Sequence, residues 1–147
     1  NLMSIVFYAP HESKAGVCFE PYSLELVSKY PDFIFIYGDN LCRIGEAGQA
    51  CIRSASNALG VATKRMPDSR PKSYMTGTEG EFDAVKMDLD NIHHYLFKGQ
   101  TVIFPSTGLG TGLARLQTTA PALLAYIDSE VSKLIHADYK LIREYQR

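Results

Sequence analysis

Along the chain, short runs of uninterrupted apolar residues alternate with segments whose apolar positions recur every three or four residues. Met3 to Ala9, closed by Pro10, reads as a buried strand. His11 to Glu20 reads as a loop with a short strand around Val17 to Phe19. Pro21 opens a short helix carrying Leu24, Val27 and Tyr30, and Pro31 ends it. Phe33 to Tyr37 is apolar throughout, the pattern of a strand covered on both faces. Glu46 to Asn57 is rich in small residues and is expected to be a helix, with Gly60 as its stop and Val61 to Lys64 as a short strand. Pro67 to Gly80 has no apolar period and is expected to be an exposed loop.

Phe82, Val85, Leu89, Ile92 and Leu96 mark one face of an amphipathic helix ended by Gly99. Thr101 to Phe104 is a further strand. A second amphipathic helix begins near Thr119, with Pro121 in its first turn and Leu123, Leu124, Ile127, Val131 and Leu134 on its core face. Tyr139 to Tyr145 alternates and is expected to be a final edge strand. Strands alternating with helices predict an α/β fold: a three-layer α/β/α sandwich, with a mixed, mainly parallel sheet of about six strands. Residues 3–147 are expected to form a single domain.

Composition narrows the function classes. A net charge of -1 gives no concentrated basic face for a nucleic-acid backbone, so no direct reading of a nucleic-acid groove is expected. The local basic group Lys64, Arg65, Arg70 and Lys72 reads as a solvated loop. Cys18, Cys42 and Cys51 are an odd set without CxxC spacing, which favours a reducing, cytoplasmic setting over a disulfide framework. His11, His93, His94 and His136 lack metal-ligand spacing, and neither a metal nor a cofactor is implied. No apolar run approaches the ~18 residues a membrane span requires, and no membrane partner or signal peptide is expected.

Two strand-to-helix junctions carry unusual glycine density. One is Gly38-Asp39-Asn40-Leu41-Cys42-Arg43-Ile44-Gly45-Glu46-Ala47-Gly48-Gln49, and the other is Ser106-Thr107-Gly108-Leu109-Gly110-Thr111-Gly112-Leu113. Ligands of open α/β sheets bind outside the carboxyl ends of the strands. Glycine there lets backbone N–H groups converge on an anion, and a following helix N-terminus adds partial positive charge. The second loop is not a Walker A motif, because no Lys-Ser/Thr follows its glycines.

At these residues the sequence resembles the macro-domain family, which binds ADP-ribose and related nucleotides. The likeness is closest to its small branch of glutamate ADP-ribose glycohydrolases, and runs from about Phe33 to Val131. Asp39 to Gly48 is similar to that branch's acidic pair followed by Cys-Arg-Met-Gly-Ala-Gly. Thr63-Lys64-Arg65 is similar to its Thr-Lys-Lys strand end, and Pro105 to Gln117 to its Pro-x-x-Gly-Cys-Gly-Leu-Asp-x-Leu loop. The resemblance implies that Gly45, Ala47 and Gly48 meet the distal ribose and diphosphate, and that Gly108, Gly110, Thr111 and Gly112 wrap the diphosphate from the other side. It places Asn40 near the distal ribose hydroxyls. Ala114 stands where that branch keeps its catalytic aspartate. The first strand lacks the Gly-Asp that macro domains turn to the adenine amine, for which His11, Glu12 or Glu20 would have to substitute.

Two readings follow. The chain is an ADP-ribosyl glycohydrolase, with Asn40, Asp39 and Lys64 as catalytic candidates and Glu46 as a further carboxylate, or it is a reader that binds without turnover. In either, ADP-ribose or a related nucleotide is the ligand, an ADP-ribosylated macromolecule is a possible partner, and Arg43 pairs with a phosphate or with Asp39.

Overall fold

A computed structural model of the chain describes residues 21–105 and 107–145. The expected strands at Met3–Ala9 and Val17–Phe19 lie outside the described residues, as do His11, Glu12, Glu20, Cys18 and Ser106. The elements are α1 (Leu24–Ser28), β1 (Phe33–Asn40), β2 (Ala58–Lys64), α2 (Glu79–Phe97), β3 (Thr101–Ile103), α3 (Leu116–Thr119), α4 (Pro121–His136) and α5 (Tyr139–Tyr145). Two short 3-10 helices lie at Gly48–Ile52 and Pro71–Ser73.

The larger mixed sheet is not found among the described residues. Among the described residues the sheet has three strands, all parallel, in the order β2-β1-β3. Over those residues the expected α/β/α sandwich is corrected to a small parallel sheet carrying five helices, α/β only in a loose sense. One lost strand has a clear cause. Tyr139–Tyr145 is helical because Asp138 caps it: its side chain accepts Leu141 N at 3.0 Å and its carbonyl accepts Ile142 N at 3.0 Å. Tyr139 is then buried, with Ile142 packed against the same core three residues on.

β1 alternates as its apolar run requires. Ile34 and Ile36 join the larger core with Val85, Leu89, Ile92, Leu123 and Ile127 from α2 and α4. Phe35 and Tyr37 join a smaller core on the other face, with Val27 of α1 and Ile52. The small-residue segment Glu46 to Asn57 is not an α-helix. It makes only the 3-10 helix Gly48–Ile52, which begins on a left-handed Gly48, and then turns into β2. Asn57 closes this return by donating to Val27 O and Tyr30 O, both at 3.0 Å, at the end of α1. Gly60 lies inside β2 instead of stopping a helix. A Cβ there would fall 2.6 Å from Asp39 Oδ2, so glycine makes room for that carboxylate.

The segment expected as exposed loop is anchored at two points. Met75 is fully buried, and Glu81, only 4% exposed, holds the entry to α2. Its Oε1 accepts the amides of Thr76, Gly77 and Thr78 at 2.8–3.0 Å, and its Oε2 accepts Arg65 Nε at 2.5 Å. Thr78 completes a capping box with it. Burial alone would raise the Glu81 carboxyl, but Arg65 and the three amides outweigh it and hold it below its ordinary 4.5. A depressed carboxyl stabilises the fold above its unfolded value and loses that contribution as pH falls. Glu81→Gln is expected to lose about 2 kcal/mol at pH 7, the cost of leaving buried donors badly served. Urea unfolding of both proteins should show that gap narrowing as pH drops below 4.5. A gap independent of pH would remove the charge from the account.

Candidate functional site

The carboxyl ends of β1 and β2 and the loops after β1 and β3 meet around one cavity of about 230 Å³. The first loop contributes Gly38, Asp39, Asn40, Ile44, Gly45, Ala47, Gly48 and Gln49, the second Gly110, Gly112, Leu113 and Ala114. Thr63 and Lys64 of β2, Ala50 and Pro67 complete the wall. Gly48 and Leu113 bring the loops together, since a Cβ on Gly48 would sit 3.1 Å from Leu113 Cδ1.

Asp39, 6% exposed, organises the first loop. Its Oδ1 accepts Arg53 Nη2 at 2.6 Å and Asn40 N at 2.7 Å, and its Oδ2 faces Arg43 Nη1 at 3.3 Å. Arg53 also donates to Gly45 O at 2.8 Å and Ile44 O at 3.1 Å, and lies over the Tyr37 ring. Burial first, then Asp39, pushes the Tyr37 phenol above its ordinary value, so it stays protonated there. Arg43, left-handed at φ 56°, sends Nη2 to both oxygens of Asp88 at 2.9 Å. Asp88 in turn accepts Ala62 N at 2.8 Å from β2. Burial raises the Asp88 carboxyl, opposed by that amide and by Arg43.

This bonding turns the loop amides outward from the protein's own acceptors. In a trans peptide the carbonyl of one residue and the N–H of the next point in opposite directions. Ile44 O is held by Asn40 Nδ2 at 2.7 Å and by Arg53, and Gly45 O by Arg53. In the second loop Gly110 O accepts Leu116 N at 2.8 Å, Gly112 O accepts Arg115 N at 3.2 Å, and Thr111 O accepts Gln117 Nε2 at 3.2 Å. The amides that follow these carbonyls, at Gly45, Glu46, Thr111, Gly112 and Leu113, donate to no acceptor among the described residues. Gly45, Gly112 and Leu113 are on the cavity wall. Carbonyls tied back and amides left open are the arrangement of an anion-binding concavity.

Two side chains complete it. Asn40, 6% exposed, uses Nδ2 on Ile44 O, while its buried Oδ1 has no hydrogen-bond partner among the described residues. Such an acceptor costs free energy unless a ligand donor satisfies it. Lys64, 9% exposed, donates to Asp68 O at 2.5 Å and stands 4.8 Å from the centre of the Tyr74 ring. No carboxylate pairs with it among the described residues. Asp39 also lines the cavity, with both oxygens committed to protein donors.

Other candidates lie elsewhere. Leu109 is buried in the larger core, and Leu41, Arg43 and Glu46 are exposed outside the cavity. Thr107 and Thr111 spend hydroxyls on the loop itself: Thr107 Oγ1 accepts Gln49 Nε2 at 3.4 Å and Thr111 Oγ1 donates to Thr107 O at 3.0 Å. Gly108 reaches the site indirectly, its carbonyl accepting Gln49 Nε2 at 3.3 Å, while Gln49 Oε1 accepts Gly38 N at 2.7 Å. Of the basic group, Lys64 is buried, Arg65 pairs with Glu81 and Arg70 with Asp68. The sequence reading missed Arg53, Asp88, Ile44 and Pro67. The first two act across 14 and 26 residues, and no local motif marks such pairs.

Among the described residues no helix is long and apolar enough to cross a membrane. Nor is any group of three or more His, Cys, Asp or Glu side chains placed to hold a metal ion.

Two glycines of the second loop should separate shape from ligand contact. Gly110 has φ +87°, and a Cβ there would overlap Leu116 Cδ1 and lie 3.0 Å from its Cγ. Gly112 has open space where its Cβ would be. Gly110→Ala is expected to cost about 2 kcal/mol or more from left-handed strain and overpacking. Gly112→Ala should stay within about 0.5 kcal/mol. Thermal unfolding of the two variants checks the contrast, and equal losses would contradict it.

No curated protein and no solved structure matches the chain. Residues 18–130, which include both loops and every residue lining the cavity, match a family described as a family of unknown function, DUF7831, and the chain belongs to that family.

Proposed function

We propose that the chain binds ADP-ribose or a related adenine nucleotide, with the diphosphate held between the two glycine loops. The observation that carries this reading is the set of amides on both loops that have no acceptor among the described residues, three of them on residues of the cavity wall. Backbone donors fixed before the ligand arrives need no reorganisation to meet a diphosphate. Lys64 supplies a cation that no carboxylate neutralises among the described residues, and the Asn40 amide oxygen supplies a buried acceptor suited to a sugar hydroxyl. The macro-domain resemblance at Asp39–Gly48 and Pro105–Gln117 supports the same ligand class. The cavity is smaller than the ~300 Å³ usual for a drug-sized ligand. In this reading it encloses the diphosphate and one ribose while the rest of the nucleotide extends beyond it.

The two forms of the proposal differ in turnover. Hydrolysis of an ADP-ribosyl adduct needs a group that activates water or attacks the anomeric carbon. Ala114 occupies the cavity wall at the position the resemblance aligns with an aspartate, and Asp39 is engaged by Arg53 and Arg43. Lys64 is left as the nucleophile candidate, beside Asn40 as a positioning group. These observations favour a non-catalytic reader of ADP-ribosylated macromolecules, or a module that sequesters a nucleotide signal, over a glycohydrolase.

Calorimetric titration with ADP-ribose is expected to show binding. Gly112→Glu, whose Cβ meets open space, sets a negative charge in the cradle and should weaken binding at least ~10-fold, or ~1.4 kcal/mol, with the unfolding temperature nearly unchanged. Absence of binding to any adenine nucleotide would remove the proposal. Release of ADP-ribose from a modified protein, lost in Lys64→Ala, would decide for the hydrolase.

A further inference from the structure

Resting on the nucleotide reading, a second group of charges defines what the ligand carries beyond its diphosphate. Tyr74, half-buried at the end of the Pro71–Ser73 turn, has two cations against one ring: Lys64 Nζ at 4.8 Å and Arg115 Cζ at 5.3 Å from its centre. The neighbouring cations Arg65 and Arg70 are paired with Glu81 and Asp68, but neither Lys64 nor Arg115 has a carboxylate partner among the described residues. Two like charges over one ring repel each other, and the ring's attraction for each is modest where solvent reaches it. The chain nevertheless holds Arg115 there from a left-handed backbone at φ 54°, a conformation rare for a residue with a side chain. Hydrogen bonding from Arg115, opposed by burial and helped by Ser69 and the charge of Lys64, draws the Tyr74 phenol below its ordinary value.

The pair is continuous with the cavity. Lys64 is on the cavity wall, and so is Ala114, the residue before Arg115. We propose that Lys64 and Arg115, aligned on the Tyr74 ring, form a second anion subsite that accepts a further phosphate group on a nucleotide whose diphosphate lies in the cradle. A phosphate suits the pair better than a carboxylate. Its two negative charges match two cations, and its several oxygens serve a guanidinium fork and an ammonium at once.

The test compares ADP with ATP, and pyrophosphate with tripolyphosphate, by calorimetry without divalent cations and with ADP-ribose as the reference ligand. The expected result is about tenfold tighter binding of the ligand with the additional phosphate in each pair, as one added charge-assisted contact supplies. If the preference appears for the nucleotides alone, the subsite reads a phosphate presented by a nucleoside; if in both pairs, the phosphate chain suffices. Arg115→Gly removes the guanidinium and suits the left-handed backbone, so it should fold normally. It should bring the ATP-to-ADP ratio to about two or less while ADP binding stays within about twofold. Equal affinity for ADP and ATP in the unaltered protein, or a preference that survives Arg115→Gly, would overturn the subsite while ADP-ribose binding keeps the cavity's own reading intact. Failure of ADP-ribose and all four other probes to bind would remove both.

Discussion

The arrangement at the end of β1 depends on one buried carboxylate. Asp39 lies almost out of reach of water, where an unpaired charge would be prohibitive, and it is answered by Arg53, Arg43 and the amide of Asn40. The consequences spread from there. Arg53 fixes the carbonyls of Ile44 and Gly45, Arg43 reaches Asp88 on α2, and Asp88 occupies an amide of β2. Even Gly60 is explained by it, because a side chain at that point of β2 would collide with the carboxylate. The group bonds the first loop to helix and sheet at once.

What that rigidity provides is a direction for peptide dipoles. Each loop hands its carbonyls to the protein, the first through Arg53 and Asn40, the second through Leu116 N, Arg115 N and Gln117. The following amides have no acceptor among the described residues, and Gly45, Gly112 and Leu113 among them stand on the wall where the loops meet. Glycine serves two needs in the second loop: at Gly110 the backbone must pass against Leu116 in a left-handed turn, whereas Gly112 leaves open space beside the cavity. In the proposed reading, binding and catalysis would draw on different parts of this site. The amides, Lys64 and Asn40 suit an anion with a hydroxyl, while the ion pairs that shape the loop occupy Asp39, the one lining carboxylate among the described residues.

Much of this was legible from periodicity. β1, α2 and α4 lie where the apolar spacing puts them, because each buries a face against the larger core. The two glycine junctions were legible because glycine reports on backbone geometry directly. The failures share a cause: tertiary bonds overrode local pattern. Glu46 to Asn57 is rich in small residues and was expected as a helix, but Arg53 takes the carbonyls of Ile44 and Gly45 just before it, and Asn57 is drawn to the end of α1. Tyr139 to Tyr145 alternates as a strand would, yet the Asp138 cap and the burial of Tyr139 make it a helix. The count of strands was overestimated for that reason among the described residues. Leu109 looked like part of a ligand loop because it sits between glycines, but it is the apolar peg that fixes that loop to the core.

The central claim is that both loops present their amides to the same anion. Backbone amide resonances followed during titration with pyrophosphate test it most directly. The account predicts that the amides of Gly45, Glu46, Thr111, Gly112 and Leu113 shift along one binding curve with one dissociation constant, while core amides such as Ile36 stay in place. Shifts confined to one loop, or two curves with different affinities, would contradict it.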